Sequence, residues 1–298
     1  MLRILWVICL VFVGCGGGRP AEFTGDAAWS YLNAQCDFGP RPPGTPAHAK
    51  TVRFIAEHLK AQGAEVSFQR FEKKDPYSDR TLELINIIGT FSPKAGKRVL
   101  LAAHFDTRPW ADQEKVDSLR TRPILGANDG ASGVAVLLEI ADIVGKGPPS
   151  GLGVDLVFFD GEDYGKSDDL EYFLLGSKYF AANLGGYRQE CGILLDMVGA
   201  KDARIYQEAN SLAREPELTR GIFRRAEDLG LDVFVARRGQ PVYDDHIPLL
   251  LAGIPMVDLI EFPYRYWHTL EDTPDKCSPE TLRQVGVLVT DFVYRFSY

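Results

Sequence analysis

Glu162 and Asp163 stand side by side two residues after Asp160, directly behind the apolar run "VDLVFF". Three acids within four positions at the end of a buried strand repel one another, and desolvation raises the cost unless a cation or a shared proton relieves it. Residues of the same chemistry follow other apolar runs. His104 and Asp106 come after "VLLAA", Asp129 lies in the turn "GANDGASG", Asp196 follows "GILL", and His268 sits in "YWHTLED". Each has a plain structural reading by itself: a hydrogen-bonded histidine at a strand end, a turn or helix-cap acid, a polar strand end, the start of a turn. Together they supply the oxygen and nitrogen ligands that zinc accepts, in a chain with only 5 histidines and no thiolate cluster. The coincidence points to a metal site assembled from loops.

The elements that must carry these groups alternate. "RVLLAAHFD", "VDLVFFD", "CGILLDMVGA", "DVFVA" and "PMVDLIE" read as strands. "AHAKTVRFIAEHLKAQGAEV", ending near Gly63, "GASGVAVLLEIADIV", "PELTRGIFRRAEDLG" and "SPETLRQVGVLVTDFVYRF" carry helical spacing. Long apolar strands alternating with helices predict a sheet covered on both faces, with reactive groups gathered at the carboxyl edge of its strands. The expected fold is α/β, a single-domain three-layer α/β/α architecture with a mixed, mostly parallel central sheet. No linker, charge block or internal repeat divides the 298 residues.

A formal charge of −8 argues against nucleic acid as a partner. The opening "MLRILWVICLVFVGC" has one basic residue and then an apolar run too short to span a bilayer as a mature helix. It reads as a leader over residues 1–14, followed by a tether over 15–25 and a catalytic domain over 26–298. "FVGC" is similar to the cleavage box of bacterial lipoproteins, which implies lipid on Cys15 and an exported protein anchored at the periplasmic or extracellular face of a membrane. An ordinary secretory peptide is the alternative. Cys36, Cys191 and Cys277 then remain, an odd number that allows at most one bridge and equally fits three free buried thiols.

The series "AAHFDT", "GANDGASG", "FFDGEDYG", "LLDMVGA", "DDHIPLLLAGIP" and "YWHTLEDT", in this order, resembles the M28 zinc aminopeptidase superfamily. "FGPRPPGT", "LLGSKYFAANL" and the Trp267-His268 pair make it most similar to the glutaminyl-peptide cyclotransferase branch, the glutaminyl cyclases. The likeness runs from about "FGPRPPGTPAHAK" to the C-terminus.

That resemblance implies one zinc per chain on Asp129, Asp163 and His268, with Glu162 moving the proton. It implies Asp196 and Asp245 as an acidic pair beside the substrate amine, and Trp267 as an apolar wall against the substrate. The substrate would be a peptide or protein with an N-terminal glutamine, converted to pyroglutamate with loss of ammonia. Two departures stand out. Asp163 replaces the Glu of the best-known cyclases, a shorter arm that reaches a metal only if the backbone moves closer. Ala103 and Val134 stand where animal cyclases place a cysteine pair. The rival reading is a two-zinc aminopeptidase in which His104 and Asp196 hold a second ion, Asp129 bridges and Glu162 activates water. A lipid-anchored binding protein with a degenerate site ranks last, because no ligand or base is missing.

Overall fold

The computed structural model describes residues 22–166 and 169–295. The expected leader and the lipidation site Cys15 lie outside the described residues. Among those described, no helix is long and apolar enough to cross a membrane.

Among the described residues eight strands form: β1 (Glu65–Lys74), β2 (Thr81–Phe91), β3 (Lys97–His104), β4 (Leu152–Phe159), β5 (Cys191–Asp196), β6 (Ile205–Gln207), β7 (Phe234–Arg238) and β8 (Met256–Ile260). The α-helices are α1 (Asp26–Asp37), α2 (Pro46–Ala61), α3 (Ala131–Lys146), α4 (Leu175–Ala182), α5 (Ala209–Arg214), α6 (Pro216–Asp228), α7 (His246–Leu251) and α8 (Pro279–Arg295). The central sheet has the order β1-β2-β4-β3-β5-β8. β4, β3, β5 and β8 run parallel to one another, while β2 pairs antiparallel with β4 and with β1 at the edge. The fold class expected from the alternating pattern is the one found.

Period-two alternation explains why both faces are covered. Val99, Leu101 and Ala103 of β3 join the core under α1, α3 and α8, whereas Leu100 and Ala102 join the cluster under α4 and α7. Ala103 and Val134 are fully buried in the larger cluster, so close packing occupies the place of the cysteine pair. Cys36, Cys191 and Cys277 are free and buried. "DVFVA" does form a strand, but β7 pairs with β6 in a separate two-stranded sheet because its residues are largely exposed and carry no core-facing run.

Local signals set the helix starts. Thr45 caps α2 by accepting from His48 N at 3.2 Å, with Pro46 at the first position. α3 begins at the glycine-rich turn for two steric reasons. Gly130 has φ +97°, which L side chains rarely adopt, and a Cβ on Gly133 would lie 2.2 Å from the Leu195 carbonyl. That close approach brings the start of α3 against the end of β5, and so Asp129 near Asp196.

Candidate active site

Because β3, β4, β5 and β8 are parallel, their carboxyl ends open on one edge, and the loops there converge on a cavity of about 300 Å³. Glu162, Asp163, Asp196, Asp244, Trp267 and His268 are among its lining residues. Larger grooves of about 900 and 580 Å³ lie between α2 and the β1–β2 edge and between α6 and α8. Neither is lined by any of the ligand trios found among the described residues.

Asp129, Asp163 and His268 bring one ligand atom each within 4.8 Å of the others. His268 Nε2 lies 3.1 Å from Asp163 Oδ1 and 3.7 Å from Asp129 Oδ2. All three side chains are buried, yet Asp129 Oδ2 and Asp163 Oδ2 have no hydrogen-bond partner. Burial and the charge of Asp163 push Asp129 up to about 7. Two buried carboxylates, each with an oxygen left without a partner and each with an oxygen within 3.7 Å of an imidazole nitrogen, are what a dication needs. The donor set therefore fits zinc.

The short arm of Asp163 reaches because the backbone is held for it. Asp106, two residues beyond β3, accepts from Glu162 N at 3.1 Å and from Asp163 N at 3.3 Å. Asp160, the first of the three acids, turns inward: its Oδ2 accepts from Ile85 N at 2.8 Å and its Oδ1 meets His48 Nε2 at 2.9 Å. Three neighbouring acids thus face three different surroundings.

Glu162 is buried beside Asp163, and both effects push its carboxyl well above the ordinary range, while His104 acts in the opposite direction. A carboxyl held near its protonated form beside a cavity is suited to exchange a proton. His104 sits at the centre of the acids. Its Nε2 lies 3.0 Å from Asp196 Oδ1 and 3.3 Å from Asp129 Oδ1, and its Nδ1 lies 4.0 Å from Glu162 Oε2. His104, Asp129 and Asp196 form a second trio sharing Asp129 with the first. Here the direct His104–Asp196 hydrogen bond already pairs the two unshared members.

Trp267 lines the cavity and stacks on His268 with ring centroids 3.8 Å apart, while Phe262 meets it edge-on at 5.4 Å. Asp245 is placed differently from the expectation. It is fully buried, accepts from Ser177 Oγ, and does not line the cavity; the neighbouring Asp244 does, beside Asp196. The doublet "DD" held both, and only the backbone turn entering α7 decides which one faces the cavity.

Several supporting residues were not singled out by sequence reasoning. Asp272 accepts from Asn128 N at 3.0 Å, Asp129 N at 3.1 Å and Tyr264 Oη at 3.0 Å, fixing the turn that carries Asp129. Arg41, fully buried, donates to the carbonyls of Phe105, Leu125 and Gly126. Asp272 lay within the motif "YWHTLEDT", four residues beyond His268, and Arg41 within "FGPRPPGT"; neither spacing reveals a backbone partner.

The peptidase family M28 model matches residues 86–293. The chain belongs to this family. The glutaminyl cyclase of Bacteroides thetaiotaomicron, solved with N-acetylhistamine bound, is 38% identical with a TM-score of 0.89, covering 94% of this chain and 100% of that one. A leucine aminopeptidase precursor from the same organism is also 38% identical with a TM-score of 0.90, covering 94% and 99%. The glutaminyl-peptide cyclotransferase of Bothrops jararaca is 29% identical over 86% of this chain and 77% of its own length. Family membership and the His/Asp/Asp trio point to zinc as the metal of this M28 chain.

Proposed function

We propose that this chain is a zinc-dependent glutaminyl-peptide cyclotransferase that converts N-terminal glutamine of peptides and proteins to pyroglutamate and releases ammonia. The observation that carries it is the placing of one ligand trio with orphaned oxygens and the buried Glu162 on the same aromatic-walled cavity. A zinc ion on Asp129, Asp163 and His268 would supply Lewis-acid polarisation of the substrate's side-chain carbonyl.

The chain's own residues do the rest. Trp267 and Phe262 hold the glutaminyl side chain folded back on its own amine, an orientation effect. Glu162 takes a proton from the α-amine as the nitrogen bonds to the side-chain amide carbon, and gives it to the departing ammonia. The C–N bond of the ring forms, the amide C–N bond breaks, and no water is consumed. Asp196 and Asp244, lining the same cavity, accept from the substrate amine and keep it aligned; Asp245 supports this wall from behind through Ser177.

A second reading, hydrolysis of N-terminal residues by a two-zinc aminopeptidase, draws on the His104–Asp129–Asp196 trio. Incubation of the zinc-loaded protein with a Gln-initiated and a Leu-initiated peptide, read by mass, separates the two. Loss of ammonia from the first alone supports the cyclase; release of free leucine overturns it. The protein is further proposed to be an exported lipoprotein held to its membrane through Cys15. Cys15→Ser should release it from the membrane fraction, and a wild type already free of membranes and lipid label would refute the anchor.

A further inference from the structure

Arg108 is the residue of the "HFDTRPWAD" stretch that the proposed chemistry leaves unused, and it is almost completely buried. Such a cation is costly unless fully paired. Its partners are two acids on opposite sides. Nε and Nη2 grip Asp112 at 3.0 and 2.5 Å, a forked contact. Nη1 donates to Asp163 Oδ1 and to the Asp163 carbonyl, both at 3.2 Å, and to the Gly165 carbonyl at 2.8 Å.

Asp112 then faces the third member of the trio. Its Oδ1 lies 3.3 Å from His268 Nδ1, on the opposite side of the ring from the Nε2 that looks toward Asp129 and Asp163. The same loop also grips the histidine's backbone: Gln113 N donates to the His268 carbonyl at 3.2 Å, and Glu114 Oε1 accepts from Leu270 N at 3.0 Å. His268 needs that grip, because its φ of 55° is a left-handed conformation that non-glycine residues adopt only when held.

We infer that Arg108 and Asp112 form a positioning pair that orients two of the three proposed zinc ligands, Asp163 and His268, from one loop. This rests on the assignment of the trio as the metal site. Asp112 Oδ1 approaches Nδ1 without forming an aligned hydrogen bond, and a carboxylate so placed favours the tautomer with the proton on Nδ1 and the lone pair on Nε2, toward Asp129 and Asp163. The guanidinium holds Asp163 by its carbonyl and by Oδ1, the oxygen 3.1 Å from His268 Nε2, while Oδ2 has no hydrogen-bond partner. It also explains how an aspartate serves here: the arm is short, but its carbonyl and one oxygen are both tied to the same rigid cation.

The test is zinc affinity by competition with a chromogenic chelator, alongside thermal unfolding of the metal-free proteins. Asp112→Asn keeps shape and removes the charge facing both His268 and Arg108; the metal-free protein should melt lower but still cooperatively, and below that transition zinc binding should be weaker by about 10-fold to 100-fold. Arg108→Lys keeps charge but loses the fork, and should weaken it by a similar factor. Wild-type zinc affinity in Asp112→Asn overturns the inference, whatever becomes of the Arg108 variant. A failure of the underlying assignment looks different, since His268→Ala would then bind zinc as tightly as wild type.

Discussion

Among the described residues three buried trios each combine two acids and a histidine, and two of them are built for opposite ends. In Asp129–Asp163–His268 the spare carboxylate oxygens face a cavity. In Glu208–His246–Asp258 the group is sealed inside the protein: both Asp258 oxygens and both His246 nitrogens are likewise buried without a hydrogen-bond partner, but none of the three residues lines the cavity. Glu208 caps α5, its Oε1 accepting from Asn210 N at 2.8 Å and Val242 N at 3.0 Å, and its Oε2 from Ser211 N at 2.6 Å. His246 Nε2 lies 3.2 Å from Glu208, and its Nδ1 3.5 Å from Asp258. Burial and the charges of Asp244 and Glu208 push Asp258 well above the ordinary range, so it moves toward its neutral form. Ligand-type residues with free lone pairs do not by themselves make a site; a cavity that reaches them does.

Substitution at the two histidines should break the molecule in different ways. His268→Ala or Asp129→Ala leaves crowded carboxylates without their cation, and should abolish zinc retention and turnover together, checked by metal analysis and assay. His246→Ala should keep zinc but cost about 1–3 kcal/mol of stability in denaturant unfolding, because the buried Glu208 carboxylate loses the imidazole 3.2 Å away.

Acid should sharpen the same contrast. Burial would raise Glu208, but His246 and the backbone donors of α5 outweigh it and bring it from the ordinary 4.5 to about 2. A depressed carboxyl stabilises the fold above its unfolded value and loses that contribution as pH falls through its folded value. The wild type should therefore lose on the order of 2 to 3 kcal/mol from this group between about pH 5 and pH 2. Glu208→Gln should flatten the unfolding free energy over that window.

Smaller effects separate roles within the active cavity. Glu162→Gln keeps shape and removes the exchangeable proton, so turnover should fall by about a hundredfold or more with zinc still bound. His104→Ala should cost about tenfold, since this ring supports Asp129 and Asp196 instead of holding the metal. Equal losses in His104→Ala and His268→Ala would favour the two-metal reading.

The parallel strands were legible because both-face burial leaves near-continuous apolar runs, as in "RVLLAA" and "VDLVFF". The edge strand β1 gave no such signal: it mostly alternates exposed and half-buried residues, with charges at Glu65, Arg70 and Glu72. The acids and histidines at the strand ends were readable from type and position, and the structure gathers Asp129, Asp163, His268, His104, Asp196 and Glu162 at one edge. What could not be read was which carboxyl of Asp244-Asp245 faces the cavity, or that Arg108 spans from Asp163 to Asp112. Both depend on backbone turns and contacts made by residues far apart in the chain.

The most direct measurement is the number of zinc ions bound per chain at saturation, for wild type, His268→Ala and His246→Ala in parallel. The expected result is one ion, none and one. Two ions in wild type, retention in His268→Ala, or loss from a folded His246→Ala would contradict the account.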